Sequence, residues 1–155
     1  MPEAGRQGFR GYIASRPVNG VAYPHRVQNL VIRDYCQRKG MHFLLSATEG
    51  AVANSYMMLN DVLDHLATVE GIVLFSQFML PAAKARRLEI YERVLSSGAQ
   101  MHAAMEEAAI VKRDDIQGFD EVLTIDRHLA AAPFAGKFPN ASAVGLRAVF
   151  LTGND

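Results

Sequence analysis

The chain has 155 residues, half of them hydrophobic and 21% charged, a size and composition that suit one globular domain with its own core. Sixteen basic side chains balance sixteen acidic ones, so no general field attracts nucleic acid or an acidic membrane surface, and weak charge repulsion favours a homo-oligomer. Cys36 stands alone, which excludes an intrachain disulfide; with no charged-then-apolar opening segment and no apolar run of membrane-spanning length, the expected setting is the cytoplasm, without a membrane partner.

Residues 1–8 carry Pro, Gly and charges without periodicity and are expected to form a loose tail. Phe9–Ala14 alternates and is aromatic and β-branched, as a first strand should be. It ends abruptly in Ser15-Arg16-Pro17, and Asn19-Gly20 then tolerates a turn with positive φ. A helix is predicted from about Pro24 to Arg38, with Val27, Leu30, Val31 and Tyr35 as its buried stripe and Gly40 as its stop. Met41–Leu45 reads as a second strand, ending in the polar run Ser46–Gly50. A second helix follows, capped by Asn54 or Ser55 and burying Leu59, Val62, Leu63 and Leu66.

Gly71–Phe75 is apolar on both faces, the signature of a central parallel strand. The third helix is predicted from Pro81, with Leu88, Tyr91 and Leu95 inward. Lys84, Arg86, Arg87, Glu89 and Arg93 make its solvated face, and Gly98 closes it. Gln100–Met105 and Ala109–Val111 are fourth and fifth strand candidates. Asp114 or Asp115 caps a helix running to about Ala131. Pro133–Ala143 reads as a loop and Val144–Leu151 as a late strand or packed tail. The plan is therefore a tail (1–8), one α/β domain (9–131) and a C-terminal extension (132–155), a packed tail or edge strand.

Strands alternating with helices across short loops imply βαβ units: a three-layer α/β fold, its mostly parallel sheet of four or five strands covered by helices on both faces. Ligands of such sheets sit at the carboxyl ends of the strands. That rule gathers scattered residues onto one edge. Ser15 and Arg16 follow strand 1, Glu49 strand 2, Ser76 strand 3 and Glu106 strand 4. Gln28 and Asn29 open helix 1, Asn54 opens helix 2, and Arg33 lies about a turn further down helix 1. Arginine forks, amides and helix N-termini in one place suit a sugar or an anionic small molecule. In this scheme Arg16, Gln28, Asn29, Arg33, Asn54 and Ser76 hold the ligand, while Ser15, Glu49 and Glu106 are the catalytic candidates, a carboxylate being the group to move a proton.

Each residue also has a purely structural role open to it. Ser15 can satisfy a turn, and no histidine close in sequence stands ready as its base. Arg16 can pair with a surface acid, and Arg33 with a neighbouring carboxylate such as Asp34. Glu49 can cap helix 2, Ser76 can be a satisfied hydroxyl, and Glu106 can pair with Arg16 or Lys112. Only their convergence favours a site. The five histidines lack metal-ligand spacing, and neither GxGxxG nor a P-loop is present, so neither metal nor cofactor is expected.

The blocks GYIASRP, VQNLVIRDYC, LLSATE, YMMLNDVL and GIVLFSQFMLP resemble the sporadic carbohydrate cluster proteins, a family named for its place in bacterial gene clusters that build surface polysaccharides such as O-antigens. The likeness covers roughly residues 9–107 and implies a pathway setting without an assigned reaction. In the order of its elements the chain also resembles the catalytic domain of serine recombinases (resolvases), so a resolvase-like or flavodoxin-like layout is expected. In that likeness Ser15 falls near the nucleophilic serine and Glu49 near an acid. Ala14 and Phe78–Leu80, however, fall where the arginines are expected, and without those cations a phosphodiester transition state lacks its stabilisation. The topology is carried over and DNA cleavage is not. The leading expectation is an enzyme, or enzyme subunit, of surface-carbohydrate synthesis. The alternatives are a non-catalytic oligomeric scaffold of the same pathway and, third, a degenerate DNA-binding domain; no nucleic-acid partner is expected under the first two.

Overall fold

The computed structural model describes residues 5–130, with side chains through residue 125. Strands β1 (Phe9–Ala14), β2 (Phe43–Glu49), β3 (Gly71–Leu74), β4 (Gln100–Ala103) and β5 (Ala108–Ile110) form one sheet in the order β2-β1-β3-β4-β5. The first four are parallel and β5 is antiparallel to β4. Helices α1 (His25–Arg38), α2 (Met57–Asp64) and α3 (Lys84–Ser96) make the connections, and α4 (Asp115–Ala130) follows β5. The chain divides into two compact units at Phe119/Asp120, and α4 runs across the boundary. The expected loop and late strand beyond residue 132 lie outside the described residues.

Side-chain partners assign the faces. On α1, Tyr35 reaches His102 of β4 and Asn29 meets Ser46 of β2, so α1 covers one face. The amides that open α2 bind Glu49 from the opposite face. The reversal of strand order at β1 produces this arrangement, because right-handed crossovers in opposite directions put their helices on opposite faces. Ile72, Val73, Leu74 and Phe75 are all fully buried, as a central strand requires.

Several expectations are corrected. The buried stripe of α1 is Gln28, Ile32, Tyr35 and Cys36, while Val27 and Leu30 are exposed. A polar residue had displaced the true stripe from the hydrophobic pattern: Gln28 is buried because β1 needs its amide. On α3, Arg87, Ile90, Tyr91 and Val94 face inward and Leu88 is exposed. Arg87 belongs to no solvated face. Its guanidinium donates to the carbonyls of Pro81 and Ala82, so the residues expected to open the helix form a loop before it. β2 runs through Ser46 to Glu49 rather than stopping at Leu45, and a bulge between its pairings with Phe9 and Gly11 leaves Leu45 outward. Residues 6–8 are no loose tail: Arg6 donates to Ser97 O, Gln7 N to Thr68 O and Gly8 N to Glu70.

Candidate functional site

Parallel register brings the four polar strand endings to one rim. Ala14 pairs with Glu49, Tyr12 with Leu74, and Leu74 with Ala103. Ser15 N donates to Glu49 O, Phe75 N to Tyr12 O, and Met105 N to Phe75 O, so the ladder extends to the rim itself.

On the β3–β4 side the polar groups bind one another. Ser76 Oγ donates to Glu106 Oε2 at 2.7 Å, and Gln77 N donates to Glu106 Oε1 at 2.9 Å. Ser76 Oγ also accepts from Phe78 N. The pair staples the end of β3 to the β4–β5 turn. The sequence allowed Glu106 a partner in Arg16 or Lys112, but Ser76 and the Gln77 amide take its oxygens.

Glu49 is also committed. It is 1% exposed, and its Oε1 accepts from Tyr12 OH at 2.8 Å and from Leu59 N at 3.1 Å. Met58 N reaches its Oε2 at 3.0 Å. The carboxylate therefore caps α2 from the neighbouring strand, where a negative charge also suits the helix dipole. Asn54 and Ser55 do not cap: α2 has no side-chain hydrogen bond at its own N-cap, Tyr56, and Asn54 is an exposed turn residue with φ of 60°. Burial first, and then the bond to Glu49, hold the Tyr12 hydroxyl well above its ordinary pKa, so it stays protonated as a donor.

Gln28 serves the backbone. Its Oε1 accepts from Ala14 N, and its Nε2 donates to Ala14 O and Tyr23 O. Both amide hydrogens are used, which leaves no donor for a ligand. What Gln28 accomplishes is local: it ties the end of β1 to the loop entering α1. Asn19 and Gly20 turn that loop at φ of 52° and 80°, with Val18 and Val21 bridged across the turn.

The returning loop sets His25, the first residue of α1, beside Ser15. Ser15 Oγ lies 2.9 Å from His25 Nε2, and both residues are exposed. Next to them, Arg16 donates to Ser55 O at 2.9 Å and reaches Tyr12 OH at 3.4 Å. Its guanidinium lies 4.6 Å from the centre of the Tyr56 ring, and that of Arg86 lies 5.1 Å from the same ring. Neither arginine has a carboxylate partner among the described residues. This β1–β2 side of the rim thus carries a hydroxyl–imidazole pair and two cations with donors to spare.

His25 and Arg86 are absent from the sequence-derived set. His25 was findable: the reasoning that returned Gln28 to the rim applies with more force to the first residue of the same helix. Arg86 carried no such signal, since its contact with Tyr56 joins two connections distant in sequence.

Arg33 and Asn29 are not at the rim. α1 runs antiparallel to β2, and Arg33 stands eight residues below His25, about 12 Å along the axis. Its guanidinium lies 5.2 Å from the ring centre of Phe43, the first residue of β2, at the other end of the sheet. Asn29 lies between, its Oδ1 accepting from Ser46 Oγ at 2.6 Å.

No family model matches the sequence, and no curated protein matches it. Among solved structures the fold is similar to a resolvase family site-specific recombinase from Streptococcus pneumoniae, with a TM-score of 0.58 over 95% of this chain and 99% of that one. The fold is resolvase-like. At 9% identity the likeness shows topology alone. Within this resolvase-like frame Ser15 sits at the end of the first strand beside an imidazole. Among the described residues no helix is long and apolar enough to cross a membrane, and no three His, Cys, Asp or Glu side chains gather as a metal site needs.

Proposed function

We propose that this resolvase-like chain is an enzyme, or enzyme subunit, of bacterial surface-carbohydrate biosynthesis. It works in the cytoplasm and binds a sugar or anionic sugar derivative at the β1–β2 side of the rim. The observation that carries the site is the 2.9 Å approach of Ser15 Oγ to His25 Nε2, with Arg16 following in the chain. Arg16 and Arg86 meet the anionic group of the ligand, and their shared stack on Tyr56 limits the freedom each would lose on binding. In the tautomer with its proton on Nδ1, the single lone pair of His25 Nε2 accepts a hydrogen bond from the Ser15 hydroxyl, and a sugar hydroxyl that displaces Ser15 gains the same nitrogen as its base. Glu49 and Glu106 act as positioning residues, since their oxygens hold backbone amides and neighbouring hydroxyls. The carbohydrate setting is supported by the sequence blocks between residues 9 and 107. Crystals soaked with nucleotide sugars and sugar acids should show density touching Ser15 and Arg16; density only elsewhere overturns the site.

A second reading, an oligomeric scaffold of the same pathway, has one observation of its own. Leu45 is 77% exposed on the open edge strand β2, and Val52 and Met57 are exposed in the segment that follows. Sedimentation tests it: a stable oligomer that Leu45→Lys dissociates, with no ligand at the rim, favours the scaffold. A third reading, a degenerate DNA-binding domain, is suggested by the fold alone and predicts an electrophoretic shift of duplex DNA at low salt.

A further inference from the structure

The outer face of α1 carries a second polar feature, separate from the rim. Arg26, Asn29, Leu30 and Arg33 line an open groove of about 260 Å³. Its polar lining consists of donors. Arg26 and Arg33 have no carboxylate partner among the described residues, whereas Arg38 on the same helix pairs with Asp34 and Glu107. The Asn29 amide is oriented: its oxygen accepts from Ser46 Oγ, which leaves the Nδ2 hydrogens for the groove. The Phe43 ring backs the Arg33 guanidinium.

The sheet beneath makes room for this arrangement. A Cβ at Gly11 would collide with Ser46 Oγ and press on the Phe43 ring. Gly11 pairs with Ser46 in the β1–β2 ladder. Glycine in the middle of a strand costs stability, and here its absent side chain admits the two groups that orient Asn29 and back Arg33.

The geometry points to a binding site for a compact phosphomonoester in the α1 groove. Two guanidiniums and an amide NH₂, with no carboxylate opposed to them among the described residues, match an oxyanion of more than one charge. The exposed Leu30 side chain offers apolar contact to a short carbon skeleton. The volume lies just below the range of drug-sized pockets, so the part of a ligand seated in the groove is compact. The site stands apart from the proposed rim function and does not depend on it.

Glycerol 3-phosphate is a suitable probe, with inorganic phosphate and glycerol as the other arms, followed by amide chemical shifts of the full chain. Glycerol 3-phosphate should shift amides near residues 26–33 and 43–46, phosphate should do so more weakly, and glycerol should not. Arg26→Ala, Arg33→Ala and Asn29→Asp should each weaken it at least tenfold. Asn29→Asp is the stringent variant, because aspartate can still accept from Ser46 while presenting a negative charge. Arg16→Ala, at the rim, should leave this binding unchanged. Shifts that survive Arg33→Ala and Asn29→Asp, shifts confined to residues 15–16 and 54–56, or no shifts at millimolar probe overturn the proposal. The rim reading is judged separately, by Arg16→Ala acting on the rim ligand.

Discussion

The two sides of the rim are made of similar residues with different outcomes. On the β3–β4 side a serine and a glutamate bind each other and a backbone amide, and the hydroxyl accepts one more N–H. On the β1–β2 side the glutamate is equally committed, but the serine faces an exposed imidazole and the arginines keep free donors. A polar strand ending becomes a candidate for binding only where its hydrogen-bonding capacity exceeds what the local backbone demands. Residue type and position do not reveal that surplus; the partners do.

Stability measurements can break this contrast. The largest effect is expected at Glu49. Glu49→Ala removes the acceptor of Tyr12 OH and of two α2 amides, leaving buried donors unpaired. It should lower the unfolding free energy by about 3–4 kcal/mol in urea titrations. A loss below about 1 kcal/mol would show that Glu49 is not the cap of α2 and return it to the catalytic candidates.

Next comes a pH effect under the β3–β4 side. His102 on β4 sits between Tyr35 OH at 2.7 Å and Gln100 Oε1 at 2.9 Å. Burial, then the charge of Lys39, lowers its pKa from 6.5 to about 4. The unfolded chain therefore takes up this proton first as pH falls. Stability from His102 is fully present above about pH 6.5 and is lost as pH drops toward 4, by up to about 3 kcal/mol. His102→Gln should flatten the stability–pH profile across that window; an unchanged slope contradicts a neutral, bonded imidazole.

Ser76→Ala should cost about 1–2 kcal/mol by removing the hydrogen bond to Glu106 and the acceptor of Phe78 N, without altering ligand affinity. Ser15→Ala should change stability by less than about 0.5 kcal/mol, since Ser15 is exposed and its backbone bond to Glu49 O does not use the side chain. The two serines separate the two sides: Ser76→Ala is expected to register in stability, and Ser15→Ala in binding.

Much of the fold was legible because it depends on periodicity and on turn residues. The apolar run Ile72–Phe75, the Asn19-Gly20 turn and the alternation of strands and helices lead to a parallel sheet with its polar endings on one rim. Two kinds of feature escaped. Gln28 and Arg87 are buried polar residues that satisfy nearby backbone groups, and they displaced the predicted inward faces of α1 and α3. Hydrophobic pattern cannot register a polar group whose partner is a carbonyl or an amide. The placement of the candidate residues was legible in part. The rim and the place of Ser15 on it follow from topology, and so does the place of His25 at the start of α1, but its contact with Ser15 needs the folded loop; Arg33, about a turn below Asn29, instead lies over Phe43 at the other end of the sheet.

Calorimetric titration of the intact chain and its variants with UDP-glucose and glucuronic acid tests the central claim most directly. Ser15→Ala and Arg86→Ala should each weaken binding of the accepted ligand at least tenfold, while Ser76→Ala should bind as the parent does. Equal affinity in all three variants, or a loss confined to Ser76→Ala, contradicts that claim.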